Sequence, residues 1–103
     1  MENKEWSIEF EPLARKEFKK IKKKIPKLYN IILETIKKLR TFPLTGEELS
    51  GDLAGYRKLK IKFQNDNYRV VYQVIDNEVV ILIIKINNRK DFYRDLKKYL
   101  KTK

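Results

Sequence analysis

At 103 residues and 42% hydrophobic content, the chain has room for one packed core, which excludes both a disordered tail and a two-domain protein. The 25 Lys and Arg against 14 Asp and Glu leave a formal charge of +11, which points to a polyanion or an acidic partner. The absence of His and Cys excludes histidine-ligated metals, Ser-His and Cys-His nucleophilic pairs and disulfides.

No apolar run reaches the roughly 18 residues of a membrane span, so no membrane partner is expected. The opening MENKEW has no signal-peptide core, and a cytoplasmic protein is expected. No clustered Asp/Glu spacing suggests a carboxylate metal site.

Trp6, Ile8 and Phe10 alternate with Glu5, Ser7 and Glu9, the pattern of a half-buried strand. Pro12 then suits the first turn of a helix. Ala14, Phe18, Ile21 and Ile25 form its apolar stripe, and Arg15, Lys16, Lys19, Lys20, Lys22, Lys23 and Lys24 its outer face. Pro26 ends that helix or forces a tight corner. A second helix is expected from about Lys27 to Arg40, with Leu28, Ile32, Ile36 and Leu39 inward and Ile31 beside them. The two make a helical hairpin on one face of a sheet.

Leu44 to Gly55 is the long connection, holding Gly46, Gly51 and Gly55 and an acidic island of Glu47, Glu48 and Asp52. Three antiparallel strands follow. In the first, Leu59, Ile61 and Phe63 alternate with Lys58, Lys60 and Lys62, so one face is apolar and the other cationic. Gln64 to Asn67 is turn chemistry, and Tyr68 to Ile75 is the second strand. Asp76-Asn77 reads as a two-residue hairpin loop. Val79 to Ile86 is apolar almost throughout, as in a central strand covered on both faces. From Asn88 onward, Phe92, Leu96, Tyr99 and Leu100 show helical spacing, with Asp91 and Asp95 early and Lys97, Lys98 and Lys101 late. The order β-α-α-β-β-β-α is an α+β domain over residues 1–103. Its antiparallel sheet has about four strands, with the first strand beside an outer member of the meander.

In so basic a chain a lysine at any one place means little. The first-helix lysines are a solvated face or a non-specific electrostatic footprint on nucleic acid. Lys58, Lys60 and Lys62 could simply protect an edge strand. Arg69 shifts the balance, because a cation among valines and aromatics needs a partner or a purpose. Lys60 and Lys62 could lie across from it, and such crowding favours a neutral lysine, a usable base. Tyr56, Tyr68 and Tyr72 read as core or rim. Tyr93, one helical turn after Arg89, could face the same end of the sheet and stack an unpaired base.

Leu49-Ser50-Gly51, the KIKF run at Lys60 to Phe63, YRVVYQVID at Tyr68 to Asp76 and NNRKDFY at Asn87 to Tyr93 together resemble the RelE/ParE toxin superfamily, RelE branch. The likeness covers nearly the whole chain and implies a RelE-like fold. It also implies the toxin of a type II toxin–antitoxin system, an mRNA interferase. Such a toxin is a ribosome-dependent endoribonuclease that cuts mRNA in the decoding site and is restrained by a RelB-like antitoxin. The resemblance assigns the family's two strand lysines to Lys60 and Lys62, its strand arginine to Arg69 and the arginine after the last strand to Arg89. Tyr93 takes the final-helix tyrosine across a two-residue gap. Asn88 stands where many relatives carry histidine.

These residue types suit attack by the RNA 2′-hydroxyl, which needs a base and cations but no cofactor or metal. Lys62 is the expected base, Arg69 and Lys60 hold the phosphate, and Arg89 stabilises the leaving side. Two alternatives share the fold: a ParE-type inhibitor of DNA gyrase without nuclease activity, and an inactive basic module that binds RNA or antitoxin.

Overall fold

The computed structural model describes residues 5–103, so the first four residues of MENKEW lie outside it. The elements are β1 (Ser7–Phe10), α1 (Pro12–Lys24), α2 (Pro26–Lys38), β2 (Glu47–Glu48), β3 (Arg57–Phe63), β4 (Asp66–Ile75), β5 (Val80–Asn87) and α3 (Phe92–Lys101). Pro12 and Pro26 each occupy a first helical turn, where a missing N–H costs nothing. Between the helices lies Ile25 alone, extended at φ −138°, so the expected hairpin turns on one residue.

The sheet order is β1-β5-β4-β3-β2. β3, β4 and β5 form the expected antiparallel meander, and β1 lies beside its outer member β5. Two details correct the expectation. The sheet has five strands rather than about four, and it is mixed, because β1 runs parallel to β5 with Ser7 opposite Val80 and Phe10 opposite Ile83. The extra strand, β2, is only Glu47 and Glu48 facing Lys58 and Arg57. Two exposed acids have no apolar alternation to announce a strand; each lies opposite a cation of β3.

The sheet is covered on both faces, as the α+β reading requires. Trp6, Ala14, Phe18, Leu28, Ile32 and Ile36 pack on one face with Tyr68, Val70, Tyr72, Ile81 and Ile83. Phe92 and Leu96 of α3 pack on the other with Leu53, Val71 and Ile84. β5 is accordingly buried on both sides. Ile31, expected beside the inward stripe, is instead 37% exposed.

The turns exchange their expected forms. Gln64 and Asn65 make the tight loop between β3 and β4, with Gln64 at φ 57°. Asp76–Glu78 is a 3₁₀ turn rather than a two-residue loop, and it ends on Val79 in the left-handed region at φ 56°. That is a costly conformation for a β-branched residue, so the surrounding pairing must enforce it.

Tyr72 on β4 fastens the connection that follows α2. Its hydroxyl accepts from the Gly46 N–H at 2.8 Å and donates to the Pro43 carbonyl at 2.8 Å. The chain approaches so closely that a Cβ at Gly46 would sit 2.6 Å from the hydroxyl and 2.8 Å from the Lys58 carbonyl oxygen. Only glycine fits there. Burial pushes the Tyr72 phenol pKa up, opposed by the Gly46 hydrogen bond and the Arg57 charge. A phenol raised in the folded state contributes stability below its unfolded pKa of about 10, and that contribution is lost as pH rises through the folded value.

Tyr72→Phe should therefore cost about 1–3 kcal/mol in urea unfolding near pH 7, because a buried N–H and C=O lose their partner. It should also flatten the fall in stability above about pH 10. An unchanged midpoint at neutral pH would show that the hydroxyl does not fasten this connection.

Candidate functional site

The expected site residues gather at one end of the sheet, where β3 finishes, β4 begins and β5 runs out. Lys60 lies directly opposite Arg69, and Arg69 lies directly opposite Asn87, so one row crosses three strands. Lys62 is one step further out, opposite Asn67. Directly opposed residues share a face, and this row is on the face covered by α3.

A register irregularity creates the row. The β4–β5 ladder slips at Val71/Tyr72, pairing Tyr72 with Ile83 and Val71 with Lys85, so that Ile84 has no opposite number. Regular alternation after Ile83 would put Asn87 on the hairpin face. The bulge re-aims it toward Arg69, as bulges do beside functional sites. Strand period alone cannot show such a slip.

Arg69 is half-buried and lies over aromatic rings from α3. Its Cζ is 5.7 Å from the Tyr93 ring centroid and 6.0 Å from that of Phe92. Its Nη1 donates to the Arg89 carbonyl at 3.4 Å. This answers what an arginine does among valines and aromatics: the rings and a carbonyl hold it without a carboxylate. The guanidinium keeps its charge available to an incoming anion.

Arg89 is exposed in the loop before α3, not on the helix itself, so the expected one-turn relation to Tyr93 does not hold. Arg69 bridges the two instead. The Arg89 N–H bonds to Asn87 Oδ1 at 3.0 Å, and Asn88 Nδ2 bonds to Asp66 Oδ2 across the end of β4. Tyr93 is partly buried, edge-on to Phe92 with centroids 5.1 Å apart. Its hydroxyl is buried without a hydrogen-bond partner among the described residues.

The lysines separate by their partners. Lys58 reaches Glu47 of β2 at 3.9 Å, which assigns it to the sheet edge. Lys60 and Lys62 are exposed and make no ion pair among the described residues. No group of three or more His, Cys, Asp or Glu among the described residues is arranged to hold a metal ion. Beside Arg89, a groove of about 400 Å³ runs between α1 and the end of β5, bordered by Lys16, Lys20 and Lys24. A larger hollow of about 720 Å³ at Ile25, Phe63 and Tyr68 holds none of the expected residues.

Sequence reasoning missed Glu17. Its carboxylate accepts from Lys85 Nζ at 3.2 Å, the Ile86 N–H at 3.0 Å and Asn87 Nδ2 at 2.7 Å. The available signal is that Glu17 is the one acid in α1, placed between Ala14 and Ile21 on the apolar stripe rather than on the lysine face.

Among the solved structures similar to this chain are several bacterial toxins. A double arginine-to-alanine mutant of E. coli toxin RelE in the free state superposes with a TM-score of 0.74 at 23% identity, covering 93% of this chain and 98% of its own. The Staphylococcus aureus YoeB–YefM complex gives 0.67 at 28% identity, with 82% and 97% covered. The Mycobacterium tuberculosis RelBE2 toxin–antitoxin complex gives 0.69 at 23%, with 82% and 99% covered. No curated protein shows significant similarity to the sequence. Residues 10–97 match the family described as the ParE-like toxin of the type II bacterial toxin–antitoxin system. With that match over most of its length, and with the RelE-like fold the sequence led us to expect, the chain belongs to the ParE-like toxin family of type II toxin–antitoxin systems.

Proposed function

We propose that this toxin is a ribosome-dependent endoribonuclease that cleaves mRNA in the decoding site through attack by the RNA 2′-hydroxyl. The observation that carries this reading is the cationic row: Lys60 opposite Arg69 on the open end of the sheet, with Arg89 in the adjoining loop and no carboxylate among the described residues paired to any of them. Uncompensated cations beside exposed turn residues suit a scissile phosphate whose charge rises as the phosphorane forms.

In this mechanism Arg69 and Lys60 hold the non-bridging oxygens. Arg69 offers a planar fork and Lys60 a point charge. Lys62, the outermost cation of the strand, takes the 2′-hydroxyl proton as base. As the bond from the 2′-oxygen to phosphorus forms and the bond to the 5′-oxygen breaks, Arg89 stabilises the leaving oxygen electrostatically, since a guanidinium is a poor proton donor, and water supplies the proton that oxygen takes up. The Tyr93 ring, already against Arg69, supplies a face on which a base next to the cleaved bond can stack. Such a site gains most of its rate from holding the strand in an attack geometry, which an mRNA held on the ribosome supplies. The basic surface equally suits an acidic antitoxin segment, and the complexes of the similar toxins with RelB- and YefM-type antitoxins support such a partner.

The family's ParE-like description favours one second reading, inhibition of DNA gyrase without nuclease activity. Primer extension on an mRNA in a purified translation system separates the two. We expect cuts within codons that require ribosomes and disappear with Arg69→Ala. Intact wild-type protein giving no cuts, together with loss of gyrase supercoiling, would establish the second reading instead.

Tyr93 provides an independent check on its role. Because its hydroxyl makes no hydrogen bond, Tyr93→Phe should keep full cleavage and lose no more than about 0.5 kcal/mol of stability. Tyr93→Ala should reduce cleavage by about tenfold or more through loss of a stacking face worth ~1–3 kcal/mol. Equal activity losses in both variants would assign the chemistry to the hydroxyl and sink the stacking role.

A further inference from the structure

We infer that Glu17, on the first helix, is a positioning residue that sets the Arg89 loop through the amide of Asn87. The inference rests on the nuclease reading for its effect on activity, but its geometry stands independently of that reading.

An ionised carboxylate only accepts, so the side of Asn87 that faces Glu17 must be its NH₂ group. Asn87 Nδ2 lies 2.7 Å from Glu17 Oε2, and Oδ1 is thereby turned toward the loop, where it accepts the Arg89 N–H at 3.0 Å. The Arg89 carbonyl in turn accepts from Arg69 Nη1 at 3.4 Å. Four groups therefore stand in one hydrogen-bonded chain: carboxylate, amide, loop backbone and guanidinium. Reversing the Asn87 amide would set two acceptors against each other at Glu17 and two donors at the Arg89 N–H.

Glu17 is itself held. Its other bonds are to the Ile86 N–H at 3.0 Å and to Lys85 Nζ at 3.2 Å, and the Glu17 and Lys85 side chains are only 16% and 6% exposed. A carboxylate fixed by a backbone donor and a buried cation cannot swing, so it orients the amide rather than following it. Asp95, also bordering the groove beside Arg89, has its own ion pair with Arg94 and makes no bond to Asn87.

Removing Glu17 alone would strand the buried Lys85 cation. The test therefore removes both charges, in Glu17→Ala/Lys85→Met, and pairs that variant with Asn87→Ala at the half-buried strand end. The first readout is amide hydrogen exchange at Arg89 by NMR, which involves no activity. Exchange should quicken by about tenfold or more in both variants, as expected for loss of one hydrogen bond of ~1.4 kcal/mol. Unchanged exchange at Arg89 in Asn87→Ala would overturn the inference.

The second readout is single-turnover cleavage of ribosome-bound mRNA. Both variants should lower the maximal rate about tenfold with little change in the half-saturating toxin concentration. The combined variant should cleave within about twofold of Asn87→Ala alone, because residues in one chain do not add. Multiplying losses would show that Glu17 acts only through general stability, and would also overturn it. Failure of the nuclease reading shows elsewhere, as no cleavage by intact wild-type protein, and leaves the exchange readout at Arg89 to decide the geometry.

Discussion

The structure turns on a shortage of edge partners for β5. β1 covers this strand only from Val80 to Ile83, and the Glu11 N–H takes the Ile83 carbonyl as the chain leaves for α1. Beyond that point the backbone of β5 would face the helical hairpin with an unpaired N–H, a costly state for a buried donor. The carboxylate of Glu17 fills the gap left by the missing strand, and it does so one turn into the helix that carries the chain away. One side chain thus ends the sheet cleanly and ties the first helix to the strand from which the site loop departs.

Charge pairing sorts an overwhelmingly basic surface into structural and available cations. Lys58 is committed to Glu47, Lys85 to Glu17 and Lys97 to Asp52. The pairs at Glu47 and Asp52 are exposed and worth at most a few tenths to ~1 kcal/mol, so they locate side chains more than they stabilise the fold. Their consequence is selective. At the open end of the sheet the acids Asp66 and Asp91 are engaged by Asn88 and Arg94, and the row of Lys60, Arg69 and Arg89 has no ion-pair partner among the described residues. Electrostatic self-repulsion there is a standing cost that a bound polyanion relieves.

Aromatic packing lets that cost be carried. Arg69 rests on rings that α3 presses against the sheet, and Phe92 also lies beneath the Lys85 ammonium at 5.6 Å. A planar guanidinium tolerates such a site better than a lysine, because it is weakly hydrated and stacks. The final helix is therefore part of the site through its first turn, while Leu96 anchors the rest of it in the core. Displacing α3 would undo the arrangement of Arg69, even though most of that helix lies away from Arg69.

Much of this molecule was legible in its residues, because the periods that announce elements are local. The apolar stripe of α1, the corner at Pro26, the alternation of β3 and the two-sided burial of β5 follow from spacing within a dozen residues. The opposition of Lys60 and Arg69 was legible too, since a short turn fixes the register of a hairpin. What spacing could not decide is what depends on groups far apart in the chain. The parallel pairing of β1 with β5, the two-residue β2 and the bulge that turns Asn87 toward Arg69 arise from pairing across the sheet. The Tyr93 hydroxyl is buried and Arg89 lies outside the helix because α3 starts where its core contacts begin, not where its amphipathic pattern does. Glu17 reads as one acid among lysines until Lys85 and Asn87, 68 and 70 residues later, are brought to it. By itself the sequence determined which segments bury which faces. Only the tertiary structure decided which polar groups meet, because satisfying buried donors and charges is a problem of the whole fold.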